Sequence, residues 1–196
     1  MSTRDEIESV EDNGVSLSMN PKKFILWLFI VSIVMIFVSL TSAYIVRQAE
    51  GNWKLFELPS IFLYSTIVLL MSSATMHWGY VNAKNDELQK LKIAIGSSLF
   101  LGILFLWMQM EGWKELVSNN IFFSFSNPSE AFLYVLTGLH AFHLVSGLIF
   151  IIIVLISSFK HNIHAKNLAQ YEICLTYWHF LDGLWLYLYI FLMINR

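Results

Sequence analysis

Apolar residues gather into long uninterrupted blocks along this chain, and the charged residues fall almost entirely in the gaps. A helix that crosses a bilayer needs about 20 mostly apolar residues. Five segments meet that condition: Phe24 to Val46, Pro59 to Val81, Ile93 to Met110, Ala131 to Phe159 and Tyr171 to Ile194. Pro59 suits a first helical position, where its missing N–H is no loss, and Asn127-Pro128-Ser129-Glu130 reads as the start of the fourth helix. The pattern predicts an all-α membrane protein, a bundle of five transmembrane helices. The links Asn82 to Lys92 and Lys160 to Gln170 are short and polar, so sequential helices are expected to be antiparallel neighbours. The longest link, Trp113 to Glu130, carries the turn signals Asn119-Asn120 and Asn127-Pro128. Residues 1–22 are polar and acidic, without the basic start and apolar centre of a signal peptide. They read as a disordered cytoplasmic tail ahead of a membrane domain over 23–196.

Composition narrows the class. The chain is 57% hydrophobic and 13% charged, against about 25% charged residues in soluble domains. A net charge of −2 gives no basis for nucleic-acid binding. The single cysteine, Cys174, cannot form an internal disulfide and reads as a small buried hydrophobe. Charge also predicts orientation. Arg4, Lys22, Lys23, Lys84, Lys90, Lys92, Lys160 and Lys166 make eight basic residues on one side, against four on the other, Arg47, Lys54, Lys114 and Arg196. The positive-inside rule then puts the N-terminus inside and the C-terminus outside. Trp53, Trp113, Tyr44 and Phe56 lie near the predicted interfaces, as an aromatic belt would.

The candidate chemistry lies in the last two helices. An ionisable group at membrane depth costs at least about 2.5–3.5 kcal/mol on insertion scales, so it faces protein and has a purpose. Glu172, Thr176, His179 and Gly183 follow helical spacing on one face, with Asp182 beside it. This polar stripe should pack on protein, with Gly183 allowing close approach. Thr137, His140, Ala141, Leu144 and Gly147 make a similar face on the fourth helix, with His143 beside it. Counting about 1.5 Å per residue puts both histidine sets near the midplane. A buried polar cluster of His140, His143, His179 and Asp182 is therefore expected, with Glu172 toward the inner side. A metal or bis-histidine haem site is the sharper reading of such a cluster, since imidazole suits iron, copper and zinc. A structural hydrogen-bond cluster is the plainer one, and it is preferred, because the inward Glu-x-x-His motifs of carboxylate-rich bundle sites do not occur. A proton path is the third reading. Glu111, ending the third helix, is either a solvated helix end or a polar contact to a neighbouring helix. No residues are expected to be catalytic or to bind metal or cofactor.

These residues also carry a resemblance. Ser72-Ser73-Ala74-Thr75-Met76, Gln109-Met110-Glu111-Gly112-Trp113, Thr137-Gly138-Leu139-His140-Ala141-Phe142-His143-Leu144 and Tyr177-Trp178-His179-Phe180-Leu181-Asp182-Gly183-Leu184-Trp185-Leu186-Tyr187-Leu188-Tyr189 resemble the cytochrome c oxidase subunit III family of the haem–copper oxidases. The resemblance covers about residues 24–194 and implies an accessory subunit of an aerobic terminal oxidase in a bacterial plasma membrane. The oxidase reduces O2 to water and translocates protons. By the same resemblance the chain stabilises the catalytic subunit I and supports proton uptake. Haem and copper lie in partner subunits, subunit II and other oxidase subunits are further partners, a respiratory supercomplex is another setting, and phospholipid binds. On this reading His140, His143, Glu172, Thr176, His179, Asp182 and Gly183 form an intramembrane core for helix packing and subunit docking. Two departures stand out. The chain matches a five-helix form without the two N-terminal helices of seven-helix members. Ile33 also falls where the family often carries a buried glutamate. An accessory subunit of a nitric oxide reductase and an independent haem-binding or transport protein are the alternatives.

Overall fold

A computed structural model of the chain describes residues 21–51, 58–85, 87–119, 121, 123, 128–159 and 168–195. Residues 1–20 of the expected tail, Trp53, Lys54, Phe56, Asn120, Asn127, and Lys160, His161, His164 and Lys166 of the last link lie outside the described residues. Five helices follow in order: α1 (Pro21–Ala49), α2 (Ile61–Lys84), α3 (Leu88–Ser118), α4 (Pro128–Phe159) and α5 (Ala169–Ile194). All five are long and apolar enough to span a membrane.

The boundaries differ from the sequence pattern where polar residues continue a helix. The apolar run predicts the third helix over Ile93 to Met110, yet α3 reaches from Leu88 to Ser118. Its added turns hold the ion pairs Glu87–Lys90 (2.6 Å) and Glu111–Lys114 (2.7 Å) at i,i+3 spacing. Hydropathy marks the part of a helix that meets lipid, while Glu, Lys and Leu propagate the helix beyond it. Pro128 opens α4, as its preset φ favours. Pro59 instead sits two residues ahead of α2, where its carbonyl accepts from the Phe62 N–H at 3.1 Å and Ser60 takes the cap position.

Helices α2, α3, α4 and α5 form a ring in which each packs on the next and α5 closes back on α2, the α2–α3 seam being the most extensive. Helix α1 departs from the expected neighbour order. It leans on α4 and α5 and does not approach α2 among the described residues. Its buried stripe explains this. Tyr44 stacks edge-on against Phe132 of α4 and Phe191 of α5, and Phe37 meets the His143 ring of α4. The rest of α1 is largely exposed to what would be lipid.

Polar side chains tie the ring together inside the apolar core. Ser72 and Thr75 of α2 bond to Ser98 of α3, and Gln109 donates to Ser65 at 2.9 Å. Such contacts do in a bilayer what the hydrophobic effect does in water, since lipid is as apolar as leucine. Trp178 fills the centre, fully buried between two glycines. A Cβ at Gly102 would stand 2.9 Å from its Cη2, and one at Gly147 would stand 3.2 Å from its Cε3.

Candidate functional site

Helix α5 has two faces of opposite chemistry. Tyr171, Cys174, Trp178, Leu181, Trp185 and Leu188 recur at three- and four-residue intervals and point into the ring, all buried. The aromatic members pass their polar atoms to α2. Trp185 donates to Thr66 at 3.0 Å, Trp178 to Ser72 at 3.2 Å and Tyr171 to the Met76 carbonyl at 2.6 Å. This ladder is absent from the site residues expected on sequence. Its signal is the spacing of seven between Tyr171, Trp178 and Trp185, which repeats one helix face every two turns.

The opposite face holds Glu172, Thr176, His179 and Gly183, as the spacing predicts, but it is the less buried side of the helix. Glu172 accepts from Lys23 of α1 at 2.7 Å and from the Tyr80 hydroxyl of α2 at 3.2 Å. Thr176 bonds back to the Glu172 carbonyl at 2.8 Å. His179 shares a hydrogen bond through Nδ1 with Ser73 of α2, and its ring centroid lies 6.0 Å from that of His77. Gly183 faces open space, so the close approaches within the chain belong to Gly79, Gly102, Gly112 and Gly147 and not to Gly183.

Of the histidines and Asp182 expected as one cluster, His140 and His143 lie against other neighbours than His179 does, while Ser73 of α2 stands beside both His179 and Asp182. His140 is fully buried with its ring 5.0 Å from Trp185 and 6.2 Å from Phe105, and neither of its nitrogens has a hydrogen-bond partner among the described residues. His143 looks toward α1, and its Nδ1 lies 2.8 Å from the Leu139 carbonyl, which can only accept, so Nδ1 carries the proton. Asp182 is 4% exposed, with Ser73 of α2, the residue bonded to His179, beside its carboxylate. The difference is one of rotation about α5: His179 turns toward Ser73 and His77 of α2, whereas Trp185 lies on the buried face that meets His140. Glu111 is partly exposed, and its side chain pairs with Lys114 of its own helix at 2.7 Å. Among the described residues, no three His, Cys, Asp or Glu side chains gather closely enough to hold a metal ion.

Two hollows flank α1. One, of about 480 Å³, is lined by Lys23, Trp27, Tyr80, Glu172 and Thr176. The other, of about 330 Å³, is more apolar and is lined by Lys22, Phe29, Ser146, Phe150 and Tyr177.

The family model for cytochrome c oxidase subunit III matches residues 13–195, from the end of the acidic tail through the whole bundle. The chain belongs to that family. Cytochrome c oxidase subunit 3 of Bacillus sp. (strain PS3) is 27% identical over 95% of this chain and 92% of its own length. Cytochrome bo(3) ubiquinol oxidase subunit 3 of Buchnera aphidicola subsp. Baizongia pistaciae is 30% identical over 84% of this chain and 87% of its own. Cytochrome c oxidase subunit 3 of Synechocystis sp. is 32% identical over 83% of this chain and 71% of its own. Family membership and five spanning helices make it subunit III of a haem–copper oxidase, a multi-pass protein of a bacterial plasma membrane. Relatives named for cytochrome c and for ubiquinol match it about equally well, so the likeness identifies the subunit and not the electron donor.

Proposed function

We propose that the chain is an accessory subunit that docks on the catalytic subunit I, stabilises it and supports its proton uptake, and that haem and copper lie in partner subunits. The N-terminus lies inside and the C-terminus outside. One observation carries this reading: the polar stripe of α5 lies on a half-open face, where the chain's own helices cover it incompletely. Polar groups at membrane depth find protein to face, and a larger complex supplies it. The ring contacts of His140 and the carbonyl bond of His143 support structural roles for both. Asp182, His140 and His143 hold the helix seams, while Glu172, Thr176, His179 and Gly183 lie toward a partner. A phospholipid suits the 330 Å³ hollow, where Lys22 stands near an apolar wall of Phe29 and Phe150.

The test is to tag the chain, extract it in mild detergent and record the reduced-minus-oxidised visible spectrum of what co-purifies. An oxidase haem spectrum that leaves when the chain is separated from its partners supports the reading. Haem that stays with the isolated chain would make His140, His143 or His179 ligands and overturn it.

A further inference from the structure

Helix α5 is the floor of a groove whose walls are α1 and α2. Floor residues reach to either wall in turn: Glu172 to Lys23 and Tyr80, His179 to Ser73 and His77, and Tyr187 to Thr41 of α1, where the hydroxyls lie 3.1 Å apart. Gly183 lies four residues after His179 and four before Tyr187, so it belongs to the same floor. It is exposed, and a Cβ built on it meets nothing within 4 Å.

We propose that this groove seats one transmembrane helix of the oxidase's catalytic subunit, which offers a hydrogen-bonding side chain to His77 and His179 and packs closely over Gly183. The inference rests on the reading of the chain as a docked accessory subunit, and adds which face docks and what the partner presents.

Depth argues for protein over lipid. His77 lies seven residues from Lys84 and His179 seven from Glu172, which puts both imidazoles about 10 Å in from the charged helix ends. Acyl chains at that depth have no hydrogen-bonding groups, and a phospholipid keeps its polar part at the surface. His77 is exposed and makes ring contacts to Tyr80 and His179. A helix bearing a hydroxyl, amide or carboxyl group meets that need, and small residues are how membrane helices approach one another. At Gly102 and Gly147 the chain fills such space itself, with Trp178. Over Gly183 it does not.

Three glycines test the assignment, because a Cβ at Gly96, Gly138 or Gly183 meets nothing within the chain. With the tagged protein in native membranes, Gly183→Leu should accumulate normally yet bring down about tenfold less oxidase haem, a loss of about 1.4 kcal/mol in association. Gly96→Leu and Gly138→Leu should bring down as much as the unmodified chain. Haem recovery by Gly183→Leu equal to the unmodified chain overturns the inference while leaving the subunit reading intact. Full haem recovery with loss of bound phospholipid, read by mass spectrometry, would make the groove a lipid site. No haem with the unmodified chain would overturn the subunit reading itself. A second measurement covers poor accumulation of Gly183→Leu. A photo-crosslinking residue in place of Ala74, exposed on α2 one turn from His77, should form an adduct with the catalytic subunit. The same residue in place of Phe100 on α3 should react with lipid alone. Lipid adducts alone from position 74 would overturn the inference.

Discussion

Both faces of α5 carry polar atoms and treat them in opposite ways. On the inner face Tyr171, Trp178 and Trp185 are at most 1% exposed, and each passes its polar atom to a hydroxyl or carbonyl of α2. On the outer face Glu172, Thr176 and His179 are only partly covered, and Gly183 has empty space above it. In water these faces would separate by hydrophobicity. In a bilayer both sides are apolar, so what distinguishes a finished interface from an open one is shape and hydrogen-bond closure. Large aromatic groups set against glycines and closed by serine and threonine mark the finished face. Short polar side chains beside an unfilled glycine mark the other.

The largest expected effect lies on the finished face. Trp178→Ala removes the indole held between Gly102 and Gly147 and leaves the Ser72 hydroxyl without its donor. We expect destabilisation of about 3–5 kcal/mol, the usual cost of truncating a buried aromatic side chain, read as lost accumulation in membranes or a lowered unfolding midpoint in detergent. A loss below about 1 kcal/mol would break the contrast between the faces. Next in size is Gly147→Leu. Its new Cβ would stand 2.9 Å from Leu181 Cδ1 and 3.2 Å from the rigid Trp178 ring, so overpacking should cost about 1–3 kcal/mol. Gly183→Leu in the same unfolding measurement on the isolated chain should change nothing, which sharpens the contrast to one residue type on one helix.

The five helices were legible because lipid contact demands long apolar runs, and the start at Pro128 because proline has one good place in a helix. The outer ends of α3 were not, since Lys90, Glu111 and Lys114 continue the helix after hydropathy has stopped marking it. Spacing alone put Glu172, Thr176, His179 and Gly183 on one face, which holds. Spacing could not say which way that face points. Near-uniform hydrophobicity removes the in–out signal that a soluble helix carries. It also left His140 and His179 looking like partners, because depth gives height in the membrane but not rotation about the axis. The rotation was set by Trp178 and Trp185, whose spacing of seven is visible in the sequence, while the glycines of α3 and α4 that receive Trp178 are not recognisable until the helices are packed.

The smallest effect tests what belongs to which face. Lys23 reaches Glu172 at 2.7 Å, but the pair is largely exposed, 47% and 32% for the two side chains, and such pairs contribute about 0.2–1 kcal/mol. Helix α1 has other holds. Phe37 and Tyr44 pack on α4 and α5, Thr41 meets the Tyr187 hydroxyl, and Tyr44 and Gln48 both donate to the Asn195 carbonyl at the far end, at 3.0 and 3.1 Å. Lys23→Met should therefore lower the unfolding midpoint by at most about 4 °C, at roughly 2–4 °C per kcal/mol for a chain of this size. Glu172→Gln should match it, since the amide oxygen still accepts from Tyr80, and the double variant should be no worse than either single one, as expected when both act through the same contact. If Glu172→Gln costs the complex its haem while Lys23→Met does not, the carboxylate answers to a partner and not to Lys23. Glu172 would then mark the end of the docking face rather than the clip that holds α1.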